Sequence, residues 1–143
     1  MKFVDKRRVV RVKINNTETK RLDELCLTIT DGSHTSPKGI ETGYPMFSVK
    51  DMGEYGFSYE GCKFISKHDF DEMVKNGCIP KKDDILLAKD GSILERIFVM
   101  KKDCDGAILS SIAILRPNCN LISPSYLCYF LKNPTTKNTY RRM

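Results

Sequence analysis

The sequence predicts an α+β fold, a single domain of twisted, mainly antiparallel β-strands with two or more short helices. Its 143 residues suit one domain. Between residues 39 and 65, glycines separate short runs of aromatic and β-branched residues, a pattern typical of short strands joined by tight turns. Two other segments, residues 66–77 and 123–134, begin and end with helix-capping signals.

The first quarter of the chain predicts a strand and then a turn. The segment VVRVKI alternates apolar and basic residues over positions 10–14, the period of a strand with one wet face. The apolar-rich run RLDELCLTI then leads into TDGSHTSP. Here Thr30-Asp31-Gly32 predicts a turn, because Asp side chains bond nearby backbone and glycine adopts dihedral angles that other residues avoid.

The segment SKHDFDEMVKNG predicts the first helix. Ser66 can cap the free amides, with Asp69 in the capping-box position, and Gly77 ends the helix. His68 is expected to face solvent in the first turn. Phe70, Met73 and Val74 form an apolar stripe along the predicted helix.

Strands and a second helix complete the domain. The run DILLAK (residues 84–89) predicts a strand, and residues 96–100 and 108–117 flank a turn-rich segment as the two arms of a hairpin would. In SPSYLCYFLKNP, Ser123 is the expected N-cap, and Asn133-Pro134 the stop.

The excess of positive over negative charge is concentrated at the N-terminus. Residues 1–21 contain eight Lys or Arg residues and two acidic ones, whereas the rest of the chain contains sixteen of each sign. The sequence therefore divides into a basic N-terminal arm or strand (1–20), a domain without an excess of positive charge (21–133) and a polar basic tail (134–143). A basic arm suits phosphate binding, but it also suits a merely solvated surface.

Cysteine usage and hydropathy predict a cytoplasmic protein without a metal site. No C-x-x-C pair or Cys/His cluster is present, so the cysteines are expected to be small buried apolar side chains rather than ligands or disulfides. The N-terminus lacks the apolar core of a secretory signal, and no apolar run reaches membrane-spanning length. The six cysteines are Cys26, Cys62, Cys78, Cys104, Cys119 and Cys128.

Little in the sequence predicts catalysis or a cofactor. There are two histidines and neither a nucleophile elbow nor a phosphate-binding P-loop. Acidic residues near a lysine leave open a metal-dependent nuclease or other hydrolase, although an Asp pair at a strand entry is usually a solvated turn. That site would use Asp83, Asp84, Glu95 and Lys89. A non-catalytic protein-interaction domain is the other alternative.

Five segments share an order and spacing that is more specific than any one motif. They are LDELCLTITDGSHTSP, GYPMFSVKDMGEYGF, CKFISKHDFDEM, IPKKDDILLAKDGSI and SSIAILRPNCNLISPSYLCYFLKN. Together, over about residues 21–133, they resemble a target-recognition domain of the specificity subunit of a type I DNA restriction-modification system.

The resemblance implies a role in recognition rather than a reaction. Such a domain reads one half of a bipartite site in double-stranded DNA, and methyltransferase (modification) subunits flip and methylate an adenine there. The restriction subunit joins through them. The chain itself would then have no catalytic site and no cofactor, and it would act in the cytoplasm.

The sequence departs from the family pattern in two places. Leu94 replaces the second glycine of the usual G-S-I-G turn, within the segment GSILER. A complete specificity subunit resembles two recognition domains separated by long spacer helices, whereas this chain carries one domain. The tail at residues 134–143 is expected to begin such a helix, although it shows no heptad pattern.

The candidate DNA-binding residues lie in three polar stretches. In the first, His34 could instead tie its loop to the core, and in the second, Lys50 could pair with Asp51 rather than with a phosphate. In the third, Arg96 is the first choice for a base contact because arginine reads guanine bidentately. The full set is His34, Thr35, Ser36, Lys38, Lys50, Lys89, Ser92 and Arg96.

Overall fold

The computed structural model describes residues 4–5, 8–89 and 96–141. The strands are β1 (Val4–Asp5), β2 (Arg8–Val9), β3 (Arg11–Lys13), β4 (Thr19–Arg21), β5 (Cys26–Asp31), β6 (Tyr44–Phe47), β7 (Lys63–Ile65), β8 (Ile85–Ala88), β9 (Ile97–Val99), β10 (Ala107–Ile108) and β11 (Ile112–Pro117). The helices are α1 (Leu22–Leu25), α2 (Lys67–Lys75), α3 (Pro124–Lys132) and α4 (Pro134–Arg141), with a 3-10 helix at Val49–Asp51. The predicted α+β class, with mainly antiparallel strands and short helices, is confirmed.

The central element is a four-stranded antiparallel sheet in the order β5-β11-β8-β9. In β11, Ala113 lies opposite Asp31 of β5, while Ile112 lies opposite Ala88 of β8. The ends of β5 and β8 and the beginnings of β9 and β11 therefore lie together at one end of the sheet. We call this the Asp31 end.

The predicted hairpin between residues 96–100 and 108–117 is wrong. Strand β8 lies between β9 and β11 and pairs with both. The physical reason is that all four residues of β8 are apolar and fully buried, so this strand takes an inner position with both faces covered.

Alternate residues of the sheet enter different cores. Ile85 and Leu87 of β8 pack on one side with Leu115, together with buried residues of the N-terminal segment and of α3. Leu86 and Ala88 of β8 enter the core on the other side. The sheet is thus an inner layer.

A second sheet, in the order β10-β6-β7, covers this other side. Phe47 and Ile108 point from it into the shared core. Its outer face carries α2, whose Met73 packs with Ile65 and Met46. The pair of β10 and β6 is parallel, in contrast to the other strand pairs in the described part of the chain.

The N-terminal segment belongs to the first core. Strand β3 pairs with β4, and the predicted alternation places Val10 and Val12 inside while Arg11 and Lys13 are exposed. Apolar residues on both sides of residue 20 therefore share one core. The division of the chain at that residue stays a prediction.

Both predicted helices are present with their predicted N-caps. The Ser66 side chain accepts a hydrogen bond from the backbone of Asp69, and Gly77 follows α2 at φ +73°; His68 is exposed, as expected. The Ser123 side chain caps α3 in the same way. The short α1, whose Leu22 and Leu25 are buried, was not expected from the sequence, and α4 lies in the tail, where the beginning of a helix was expected. No helix in the described ranges is long and apolar enough to cross a membrane.

The cysteines are free thiols, three of which are buried as expected: Cys62, Cys78 and Cys128. Burial, followed by the charge of Asp23, raises the pKa of Cys26 to about 12, and burial raises the pKa of Cys104 to about 11. These two thiols remain protonated at neutral pH and are poor nucleophiles. Cys119, which was expected to be buried, is exposed after β11.

An ion pair with a buried carboxylate lies at the end of the sheet opposite the Asp31 end. Asp84 has no exposed surface, and its carboxylate accepts two hydrogen bonds from Arg116, both of 2.8 Å. The backbone amide of Lys81 donates a third, also at 2.8 Å. The carboxylate is therefore fully engaged inside the protein.

Arg116→Met should lower the free energy of unfolding by about 3–5 kcal/mol, because it leaves a buried carboxylate without its cation. Urea denaturation at neutral pH measures this. Lys67→Met is the matched control, since Lys67 pairs with Asp71 on the exposed surface of α2. This variant should unfold at the same urea concentration as the wild type. Equal midpoints for the two variants would contradict the assignment.

Candidate nucleic-acid interface

The β5–β6 loop, residues 32–43, carries the last six residues of the TDGSHTSP segment and starts at the Asp31 end of the central sheet. Its first residues are threaded between β10 and β11. Gly32 N donates to the carbonyl oxygen of Ile112 (3.1 Å), Ser33 N donates to that of Ile108 (2.8 Å), and Ser110 N donates back to Ser33 (2.8 Å). Backbone hydrogen bonds thus fix where the loop leaves the sheet.

The predicted Thr30-Asp31-Gly32 turn is wrong, because Thr30 and Asp31 are the last two residues of β5. Gly32 is required for close approach and not for an unusual dihedral angle. A Cβ atom there would lie 2.3 Å from the carbonyl oxygen of Ile108. In the described chain the glycines with positive φ are Gly61 and Gly77.

Asp31 joins two of the candidate residues. Its Oδ2 accepts a hydrogen bond from Lys89 Nζ at 2.7 Å, and its Oδ1 lies 3.2 Å from His34 Nε2. Burial alone would raise the pKa of Asp31, but the hydrogen bond and charge of Lys89, together with His34, outweigh it and hold that pKa below its ordinary value. Asp31 is therefore an anion at neutral pH.

This arrangement gives Lys89 and His34 different roles. The Lys89 side chain is 13% exposed and turned inward to Asp31, whereas the His34 side chain is 77% exposed. His34 is thus both tied down by Asp31, as one expectation held, and presented to solvent, as the other required. Lys89 therefore acts inside the protein, where its hydrogen bond to Asp31 supports the start of the loop.

The middle of the loop is also held. The Ser33 hydroxyl donates to the carbonyl oxygen of Thr35 (2.8 Å) and accepts from its amide (3.0 Å), which encloses His34 in a tight turn. Ser36 Oγ accepts a hydrogen bond from Lys63 Nζ at 2.7 Å. Thr35, Ser36 and Lys38 are exposed, and Lys38 has no hydrogen bond or ion pair to any described residue.

The remaining candidates are placed as follows. Lys50 is exposed and donates to the carbonyl oxygen of Gly61 (3.2 Å), while Asp51 accepts from the Ser48 amide (2.9 Å) instead of pairing with Lys50. Arg96 is exposed at the Asp31 end, where its carbonyl oxygen accepts from Ala88 N (3.0 Å). Ser92 and the GSILER departure at Leu94 lie outside the described residues.

Lys63 is the residue that the sequence did not single out. It begins β7 and reaches across to Ser36 and to the carbonyl oxygen of Pro37. The only sequence signal was a lysine at the start of a predicted strand region, and nothing in that pattern indicates a partner 26 or 27 residues away.

The nuclease alternative loses its proposed site. Asp84 and Lys89 lie at opposite ends of β8, and Asp84 is enclosed by Arg116. Among the residues that the structure describes, no group of three His, Cys, Asp or Glu side chains could hold a metal ion. Glu95 lies outside those residues.

No protein-family model and no curated protein sequence matches the chain. Several solved structures are similar to it, and two of them are as follows. One, from work on complex assembly and conformational transition of the type I R-M system, has a TM-score of 0.53 at 21% identity over 82% of this chain. The other, the HsdS subunit from Thermoanaerobacter tengcongensis, has a TM-score of 0.56 at 18% identity over 86%. The chain spans 28% and 31% of those chains, and the likeness shows a common fold.

Gly32→Ala should destabilise the protein by about 1–3 kcal/mol, because the added methyl group would overlap backbone atoms that cannot move without shifting β10. Gly56→Ala is the control, since a Cβ atom there meets no atom within 4 Å. Thermal or urea unfolding of both variants measures the difference. A Gly32→Ala protein as stable as Gly56→Ala would refute the close approach.

Asp31→Asn should lower stability at pH 7, and the gap to the wild type should narrow as the pH falls below about 4. A carboxylate whose folded pKa is depressed stabilises the fold above its unfolded pKa and ceases to do so as it becomes protonated. Urea unfolding of both proteins from pH 7 to pH 3 tests this. A gap that does not change with pH would show that the Asp31 charge contributes nothing.

Proposed function

We propose that this chain recognises double-stranded DNA in a sequence-specific manner, as the target-recognition domain of a type I restriction-modification specificity subunit. It would read one half of a bipartite site at which adenine is methylated or the DNA restricted. The observation that carries the proposal is the position of the TDGSHTSP segment, whose loop is fixed at both ends and exposes polar side chains at one end of the sheet. The fold shared with the two solved structures supports it.

The exposed candidates supply the two kinds of contact that such reading needs. Arg96 can donate two parallel hydrogen bonds to a guanine edge in the major groove, and His34 and Thr35 offer polar groups of short reach. Lys38, which is free of partners among the described residues, is suited to a phosphate, which fixes register without specifying sequence. Ser36 and Lys89 are engaged within the protein and support the surface.

The chemistry would belong to partner subunits. Methyltransferase subunits would bind this chain, extrude the target adenine and methylate it, and the restriction subunit would join through them. In this proposal the chain contributes no catalytic group and no cofactor, and it works in the cytoplasm, where the DNA is. The HsdS name of one similar structure, and the R-M complex described for the other, fit this division of labour.

A domain exchange tests the function directly. Residues 8–133 would replace one recognition domain of a working type I specificity subunit, with residues from 8 onward included because Val10 and Val12 are buried in the core. Methylated adenines would then be mapped across a genome. A methylation motif that changes in one half and stays the same in the other supports the proposal, whereas a hybrid that copurifies with its methyltransferase yet methylates no defined motif contradicts it.

Lys38→Gln should reduce the slope of log Kobs against log salt by about 0.9, the value for one lost phosphate contact on duplex DNA. Lys67→Gln makes the same charge change on the exposed surface of α2, where Lys67 pairs with Asp71, and should leave the slope unchanged. Fluorescence anisotropy with one duplex over a salt series measures both. Equal slopes for the two variants would remove Lys38 from the interface.

A further inference from the structure

We propose that Lys63 is a positioning residue for DNA reading: by holding Ser36 and Pro37, it fixes the exposed part of the β5–β6 loop and so determines sequence discrimination. This inference rests on the proposed function. In it, Lys63 affects DNA recognition indirectly, through the β5–β6 loop. It follows from three features of the contact between β7 and the loop.

The first feature is the contact itself. Lys63 Nζ donates to Ser36 Oγ at 2.7 Å and to the carbonyl oxygen of Pro37. Its methylene groups lie against Gly39, where an added Cβ atom would be 3.3 Å from Lys63 Cγ. The side chain is thus fixed along its length, and little of its rotational freedom remains to oppose the two hydrogen bonds.

The second feature is how little other support residues 35–39 receive. Backbone hydrogen bonds hold Gly32 and Ser33 at one end of the loop and Ile40 at the other, where its amide donates to Phe64 O at 2.9 Å. The His34 side chain bonds to Asp31, at the end of β5, and Thr35 bonds to Ser33. Among the described residues, Lys63 is the one side chain from another element that hydrogen-bonds to residues 35–39.

The third feature is the direction of the ammonium group. A lysine has three N–H donors, and two of these point into the protein, toward the loop. Such a residue affects binding by ordering the groups beside it. If the loop were disordered before binding, it would lose conformational entropy on binding. This loss would lower the affinity of every complex that depends on the shape of the loop.

The test uses the full chain and three variants. Lys63→Met keeps the length of the side chain but removes its donors, while Lys63→Arg keeps donors and charge. Lys67→Met is the matched control, with the same loss of charge four residues away on the exposed face of α2. The wild type first selects from a pool of duplexes with randomised bases, and each protein is then titrated with the enriched duplex and with a scrambled one over a salt series.

We expect Lys63→Met to reduce the ratio of the two affinities by roughly tenfold, as the ordering cost moves from folding to binding, with an unchanged salt slope. Lys63→Arg should keep most of the ratio, and Lys67→Met all of it. A Lys63→Met protein that keeps the wild-type ratio overturns the inference and leaves the proposed function intact. A salt slope reduced by about one, with an unchanged ratio, makes Lys63 a phosphate ligand and also overturns it.

Hydrogen exchange provides a readout that needs no DNA. The amides of His34, Thr35, Ser36 and Lys38 should exchange faster in Lys63→Met than in the wild type, and at the wild-type rate in Lys67→Met. If Lys63→Met does not fold, Ser36→Ala serves instead, because it removes one of the two acceptors on the exposed loop. It should also speed the exchange of these amides, by a smaller factor. Unchanged exchange in the variants refutes the positioning role. A wild type that enriches no sequence overturns the proposed function, and this inference with it.

Discussion

The double coverage of the four-stranded sheet is the constraint on which the rest of the structure depends. Strand β8 is apolar at every position, so both of its faces must be removed from water. The N-terminal segment and α3 cover one face, and the second sheet covers the other. With both faces occupied, polar chemistry is left to the ends of the strands, and the Asp31 end is where the loop that carries the most distinctive motif begins.

The polar groups at the two ends of this sheet serve different purposes. At one end, Arg116 donates two hydrogen bonds to Asp84, and the pair has a structural role. At the other, Asp31 holds Lys89 inward and still leaves His34 mostly in solvent. Contacts between an aspartate and basic side chains thus stabilise the fold in one place and present a side chain in the other, and the two sites differ in how deeply the aspartate and its partners are buried.

Local signals predicted what is local. The capping residues Ser66 and Ser123 located both longer helices, and the alternation over positions 10–14 located β3 with the correct side facing inward. The order of strands was beyond such signals, because the place of β8 between β9 and β11 depends on which apolar run is covered on both faces. At the candidate site the TDGSHTSP segment was identified, but its geometry depends on Ile108, Ile112 and Lys63, which are remote in the sequence.

The way in which the β5–β6 loop is anchored has a consequence for redesign. The bonds that hold it involve the backbone of Gly32, Ser33 and Ile40, the Lys63 ammonium group and the contact of His34 with Asp31, whereas the side chains of Thr35 and Lys38 take no part in holding it. These two positions can therefore be varied together in a combinatorial library while the path of the main chain is retained. In a scaffold of this kind, the residues that stabilise the fold differ from the residues that determine which ligand is recognised.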